Sequence, residues 1–158
     1  MKTLTALISG IALTAAFGSS AFATDVYVVN FRNAKDVQSQ QLDGQLASAL
    51  AISGVDAEEV VIDTTTAAKW EKGAYEAFDH DIVPIFNQWV GLPGFAAVVD
   101  ARTKRVIGCV NTAFEVNEMA AEIRQMASKA KGSAYLSNAS TPVKTTRCPA
   151  AHNVDPGN

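Results

Sequence analysis

The sequence predicts an α/β domain built on one mixed β-sheet with helices on its faces. Three observations carry this. Short β-branched runs alternate with stretches of helical periodicity in the first half of the chain, the pattern of a β-α-β unit. Two later apolar runs are separated by only a short polar connection and read as an antiparallel hairpin. The 158 residues are 48% hydrophobic and 18% charged, the balance of a folded globular chain, while 10 Gly and 2 Cys are too few for collagen or for a disulfide-dense miniprotein.

Residues 1–23 stand outside that domain. Lys2 supplies a positive start, residues 4–17 are apolar but too short to span a bilayer comfortably, and Ala21, Phe22 and Ala23 form a small-x-small cleavage site. This reads as a signal peptide cut before Thr24, and no Cys follows the cut to accept a lipid. The polar and small residues Ser9, Gly10, Gly18, Ser19 and Ser20 weaken the competing reading of a retained anchor. The expected location is therefore periplasmic or secreted, an oxidising compartment, without stable membrane insertion after cleavage. Cleavage removes Lys2 alone among the charged groups, so the mature chain is more acidic than the net −3 of the whole. A chain of that charge with scattered Lys and Arg lacks the basic stripe that phosphate backbones need, which excludes nucleic acid as the expected partner.

The elements follow in order. Residues 26–31 (VYVVNF) are apolar enough for a central strand buried on both faces. Asp36 caps a helix whose Val37, Leu42, Leu46, Ala49 and Leu50 share a face, and Gly54 ends it in the left-handed conformation. Residues 59–63 (EVVID) form the second strand, completing a unit whose crossover is expected to be right-handed. Thr66 opens a second helical stretch with Ala67, Trp70, Ala74, Ala77 and Phe78 at helical spacing, interrupted at Asp79, His80 and Asp81. A new turn then carries Ile82, Ile85, Phe86 and Trp89, with Pro84 tolerated in its first turn. Residues 91–94 end it. Residues 95–100 (FAAVVD) and 104–110 (KRVIGCV) are the hairpin strands. Thr112 and Glu115 predict a capping box for a last helix with Val116, Met119, Ala120, Ile123, Met126 and Ala127 on one face; Lys129 and Lys131 suit its C-terminal dipole and Gly132 ends it. The domain is thus expected over residues 24–132. Residues 133–158, rich in Ser, Thr, Asn and Pro, form an extended C-terminal tail, in which Asn138, Ala139 and Ser140 match a glycosylation pattern that matters only in a eukaryotic secretory route.

This order, β-α-β-α-β-β-α with Gly91, Leu92 and Pro93 before FAAVVD, resembles the thioredoxin-like fold over residues 25–131. The resemblance implies a mixed four-stranded sheet of order 2-1-3-4 flanked by helices, the last helix beside the first, and a cis-proline at Pro93. Read on residues alone, Pro93-Gly94 is equally a type II turn, and both alternatives stand. Gly94 departs from the family, where a residue with a side chain usually follows the proline. The redox site departs further. Where family enzymes carry Cys-x-x-Cys after the first strand, this chain has Asp36, Val37, Gln38 and Ser39, which cannot perform thiol-disulfide exchange. The chain is also similar in style to secreted thioredoxin-like proteins without the Cys pair in conjugative transfer and type IV secretion systems, which implies another envelope protein as partner.

The remaining chemistry candidates each have a structural competitor. Cys109 and Cys148 pair most simply as a disulfide, worth about 4 kcal/mol for the loop they close; the alternative is a buried Cys109 with a reactive Cys148. Cys148, His152, Cys109 and His80 are the soft ligands a metal such as copper or zinc could use, though their spacing does not demand one. His80 between two aspartates suits a general base, or simply a solvated loop. Trp70, Trp89, Phe86 and Phe95 lie on apolar faces and are expected in the core, while Lys69, Glu71, Lys72 and Glu76 form a solvated face. The chain has neither a nucleophile elbow nor a phosphate loop. The function expected is a non-catalytic protein-binding or assembly module needing no cofactor, with a surface formed by Asn33, Asp36, Leu92, Pro93 and Phe95. The alternatives are a thiol-disulfide oxidoreductase using Cys109 and Cys148, or a metal carrier.

Overall fold

The computed structural model describes residues 24–132 and 147–152. The leader, the pattern at Asn138 and the rest of the tail lie outside the described residues. Strand β1 (Val26–Arg32) leads into helix α1 (Val37–Ser53), strand β2 (Ala57–Asp63), helices α2 (Ala67–Asp79) and α3 (Val83–Trp89), strands β3 (Phe95–Asp100) and β4 (Val106–Asn111), and helix α4 (Val116–Ala130). The sheet runs β2-β1-β3-β4. Strand β1 pairs in parallel with β2 from Val26↔Ala57 to Arg32↔Asp63, whereas β1 with β3 and β3 with β4 are antiparallel. The layout is the thioredoxin-like one, with its second helical stretch broken into α2 and α3. No helix among the described residues is long and apolar enough to cross a membrane.

Alternation along β1 divides the core in two. Val26 and Val28 pack in one cluster with Leu42, Leu46, Met119 and Ile123 of α1 and α4, and Val29 and Phe31 in another with Val60, Ile62, Ile85 and Trp89 of β2 and α3. Slipping β1 by one residue would exchange the two sets, so burial on both faces fixes the register. Each fully buried Leu, such as Leu42 or Leu46, contributes about 2 kcal/mol of transfer free energy. Helix α1 begins as predicted, with the Ser39 N–H donating to the Asp36 carboxylate at 2.8 Å, and stops at Gly54 with φ 67°.

Several expectations are corrected. Val37 leaves the apolar face of α1 and stands 75% exposed, and in α2 Trp70 and Phe78 are 46% and 72% exposed. The sheet takes only a narrow strip of small residues from α2, the buried Gly73 and Ala77 with Ala74 partly buried beside them; at Gly73 a Cβ would lie 3.5 Å from Ile62. Trp70 instead meets Phe86 edge-on from the rim, ring centres 5.7 Å apart. The cap of α4 moves three residues on: Glu115 is the N-cap, and its N–H donates to Glu118 Oε2 at 3.2 Å. Thr112 lies in a turn that buries Phe114, with the Phe114 N–H donating to the Asn111 carbonyl at 3.3 Å. Strand β4 starts at Val106 because Lys104, at φ 58°, belongs to the hairpin turn. There the Asp100 carboxylate accepts the N–H groups of Arg102 and Thr103 at 2.9 and 3.0 Å.

Candidate functional site

The first helix N-terminus and the loop before β3 meet at one end of the sheet. Gly94 makes the meeting possible. Its φ is 89°, and a Cβ there would lie 3.2 Å from Gln38 Cβ and 3.6 Å from Asp36 Oδ1. Its N–H donates to the Phe31 carbonyl at 3.0 Å, which fixes the loop to the end of β1. Beneath it Phe31 stacks on Phe95 with ring centres 5.0 Å apart, and Trp89 meets Phe95 edge-on at 5.7 Å. Aromatic pairs of this kind contribute about 1 kcal/mol each beyond area burial.

The side chains of Asn33, Asp36 and Ser39 in the turn before α1 are all engaged. Asp36 accepts from Ser39 N–H, and the buried Ser39 Oγ accepts from Asn33 N–H at 3.2 Å. The Asn33 side chain accepts from Lys35 N–H at 3.0 Å, while Ala34 N–H donates to Thr65 Oγ1 at 2.7 Å across the gap to β2. Thr65 is set in turn by Asp63, which accepts from its N–H at 2.8 Å and from its hydroxyl. Burial pushes the Asp63 carboxyl up, but the Thr65 donors and Lys69 outweigh it and hold the group below the ordinary carboxylate range. The turn's one carboxylate and one buried hydroxyl are spent on capping. What it offers outward is the side chain of Val37, with Lys35, Gln38 and Pro93 exposed around it.

Of the five residues predicted to bind a partner, Asn33, Asp36, Leu92 and Pro93 border this surface. Phe95 does not: at 3% exposure it is core, because the first residue of β3 turns its ring onto Phe31. Val37 and Gln38 are the exposed residues at the start of α1. Pro93 is trans, since the described residues contain no cis peptide bond. The left-handed Gly94 turns the chain into β3 in place of the cis bond that the resemblance implied.

Cys109 and Cys148 are joined in a disulfide with Cα atoms 5.0 Å apart. Cys109 is buried in β4 opposite Ala97. Beyond Cys148 the tail is tied to the end of α3: Trp89 Nε1 donates to the Pro149 carbonyl, His152 N–H to the Gln88 carbonyl, and the His152 ring to the Val90 carbonyl, each at 3.0 Å. The four soft ligands are therefore not brought together as a metal carrier requires. Both sulfurs are consumed, His152 of the tail is bonded to the end of α3, and His80 sits between Glu58 and Glu76.

Two features escaped the sequence reading. Asn30, 1% exposed in β1, donates to Asp43 Oδ1 at 3.0 Å and Glu59 Oε1 at 2.9 Å, while Arg32 bridges Asp43 at 3.2 Å and Asp63 at 3.6 Å. The lone Asn in VYVVNF was the available signal. Glu122 lines a cleft of about 300 Å³ with Val106, Met126, Lys129 and Arg147. It is 5% exposed with Oε2 unpartnered, and burial pushes its carboxyl up despite Lys129. Nothing in its helical periodicity distinguishes it from a surface Glu.

No family model, curated protein or solved structure matches the chain.

Proposed function

We propose that the chain is a non-catalytic, extracytoplasmic protein-binding or assembly module that engages another envelope protein through Val37, Gln38, Leu92 and Pro93. The supporting observation is the contrast at one end of the sheet. The side chains of Asn33, Asp36 and Ser39 before α1 are bonded internally, while the aliphatic Val37 side chain stands 75% exposed near a proline loop that the Gly94 N–H fastens to the Phe31 carbonyl. Exposed apolar groups on rigid backbone bind with little ordering cost. The disulfide supports an oxidising compartment, of which the periplasm is the proposed instance.

The test is a photo-crosslinking residue at Val37, with Glu71 on the outer side of α2 as control site. The reading expects one envelope protein captured from Val37 and absent at Glu71, and its loss on Pro93→Gly. Equal capture at both positions refutes it. The narrower proposal, an accessory part of a conjugative transfer apparatus, expects deletion of the gene to lower transfer frequency and fails if transfer is unchanged. The oxidoreductase alternative has the half-buried Cys148 in its favour, but burial of Cys109 opposes attack there. Rapid exchange of the purified protein with glutathione would favour it over the binding module.

A further inference from the structure

We propose that His80 is a proton-operated latch fastening the end of α2 to β2, closed by the imidazolium and released by the neutral ring. At the opposite end of the sheet from the proposed binding surface, His80 follows α2 as its C-cap. Its Nδ1 lies 2.8 Å from the Glu76 carbonyl and its Nε2 lies 2.9 Å from Glu58 Oε1 on β2. A carbonyl can only accept, and so can an ionised carboxylate. Neutral imidazole has one N–H and satisfies one of them; imidazolium has two and satisfies both.

The surroundings agree. On its own element the Glu76 carboxylate is 4.0 Å from Nδ1, and the exposed Asp79 and Asp81 flank the ring in sequence. From β1 the Tyr27 ring meets it edge-on at 5.1 Å. The cation facing this cluster is Lys104 of the hairpin turn, held on Tyr27 at 4.4 Å from the ring centre and 3.3 Å from the hydroxyl. A positive ring at the C-terminus of α2 is also favoured by the helix dipole. Burial works against the charge, but Glu58 and the Glu76 carbonyl outweigh it, so the His80 pKa is raised above 6.5.

The latch holds a joint that needs holding. After His80 the chain passes through Asp81 at φ 56°, a left-handed residue where glycine is the usual choice. Asp81 N–H donates to the Phe78 carbonyl at 3.0 Å and Ile82 N–H to the Ala77 carbonyl at 2.8 Å, closing α2, while the Ile82 carbonyl accepts from Ile85 and Phe86 to start α3. Because the folded pKa is the higher one, the stabilisation is complete below the unfolded value near 6.5 and fades as pH rises through the folded one. Release loosens the joint from which α3 runs toward the loop at Gly91.

The experiment is a histidine-ring NMR titration of the mature chain together with amide exchange at Ile82. The expected result is a His80 midpoint above 6.5, lowered by Glu58→Gln. Protection of Ile82, corrected for intrinsic exchange, should fall at least about threefold between about pH 6 and about pH 8.5, and His80→Gln should abolish that fall. A midpoint at or below 6.5, or a fall of the same size in His80→Gln, overturns the proposal. Should His80→Gln not fold, a His80 midpoint unmoved by Glu58→Gln overturns it as well.

Discussion

Reducing the Cys109–Cys148 bond, or replacing Cys148 with alanine, should test how far the tail is part of the domain. The bond spans a sequence separation of 39, for which the chain-entropy relation gives a stabilisation of about 4 kcal/mol. Without the covalent tie the bonds of Pro149 and His152 to α3 form only part of the time, and each one lost adds about 1 kcal/mol at most. For roughly 110 ordered residues the entropy of melting converts 4 kcal/mol into a fall in Tm of about 15 °C. Urea unfolding followed by tryptophan emission is the natural assay, because the Trp89 indole donates to Pro149 and is 2% exposed. The reduced protein should show a lower midpoint, a larger urea dependence from its less restricted unfolded chain, and native emission shifted to the red. A loss below about 1 kcal/mol with unchanged urea dependence would refute the reasoning, as would free thiols in the untreated protein.

Three further outcomes follow from single side chains. Phe95→Ala should cost about 4 kcal/mol in urea unfolding, so that partner binding falls only in proportion to the unfolded fraction. Gly94→Ala should cost about 2 kcal/mol, since φ 89° disfavours any Cβ and this one would crowd Gln38; its folded fraction should bind partner more weakly because the loop must move off α1. Glu122→Gln should stabilise the protein by about 1 kcal/mol at neutral pH and by nothing in acid. The sign follows from the raised folded pKa: the carboxyl is neutral in both states below its unfolded value near 4.5, and the penalty of ionising it in place appears as pH rises through that range. Stability measured against pH for parent and variant checks the prediction, and a constant difference across pH contradicts it.

The strands were legible because burial on two faces leaves a continuous apolar run, and FAAVVD proves buried at every position. The caps at Asp36, Thr66 and Gly54 were legible because one side-chain oxygen or one left-handed residue decides each. Helical faces were less so. Trp70 and Phe78 sit at core spacing, yet α2 rests on the sheet through the small residues Gly73, Ala74 and Ala77, and how closely a helix approaches a sheet is a property of both surfaces. The same limit explains the site. The sequence marks the turn before α1 and the Pro93 loop separately, but the 3.2 Å approach at Gly94 that joins them, and the burial of Phe95 beneath, arise only when β1 and β3 pair in register.

That register makes the tail and the loop parts of one arrangement. Helix α3 has seven residues and no side-chain cap bond at its start, too short to persist by its own hydrogen bonds. It is held from outside at both ends. At one, the bonds around Asp81 and Ile82 tie it to α2; at the other, Pro149 and His152 take up Trp89, Gln88 and Val90. The next residues are Gly91 and Leu92, which begin the loop of the proposed surface. If the proposed surface binds a partner, a disulfide in the middle of β4 should act on that binding through the short helix that its tail clamps. Reduction should weaken partner binding beyond what the unfolded fraction explains, measured as affinity at a temperature where reduced and oxidised protein are both folded. Equal affinities there would mean that Phe31, Trp89 and Phe95 alone hold the loop.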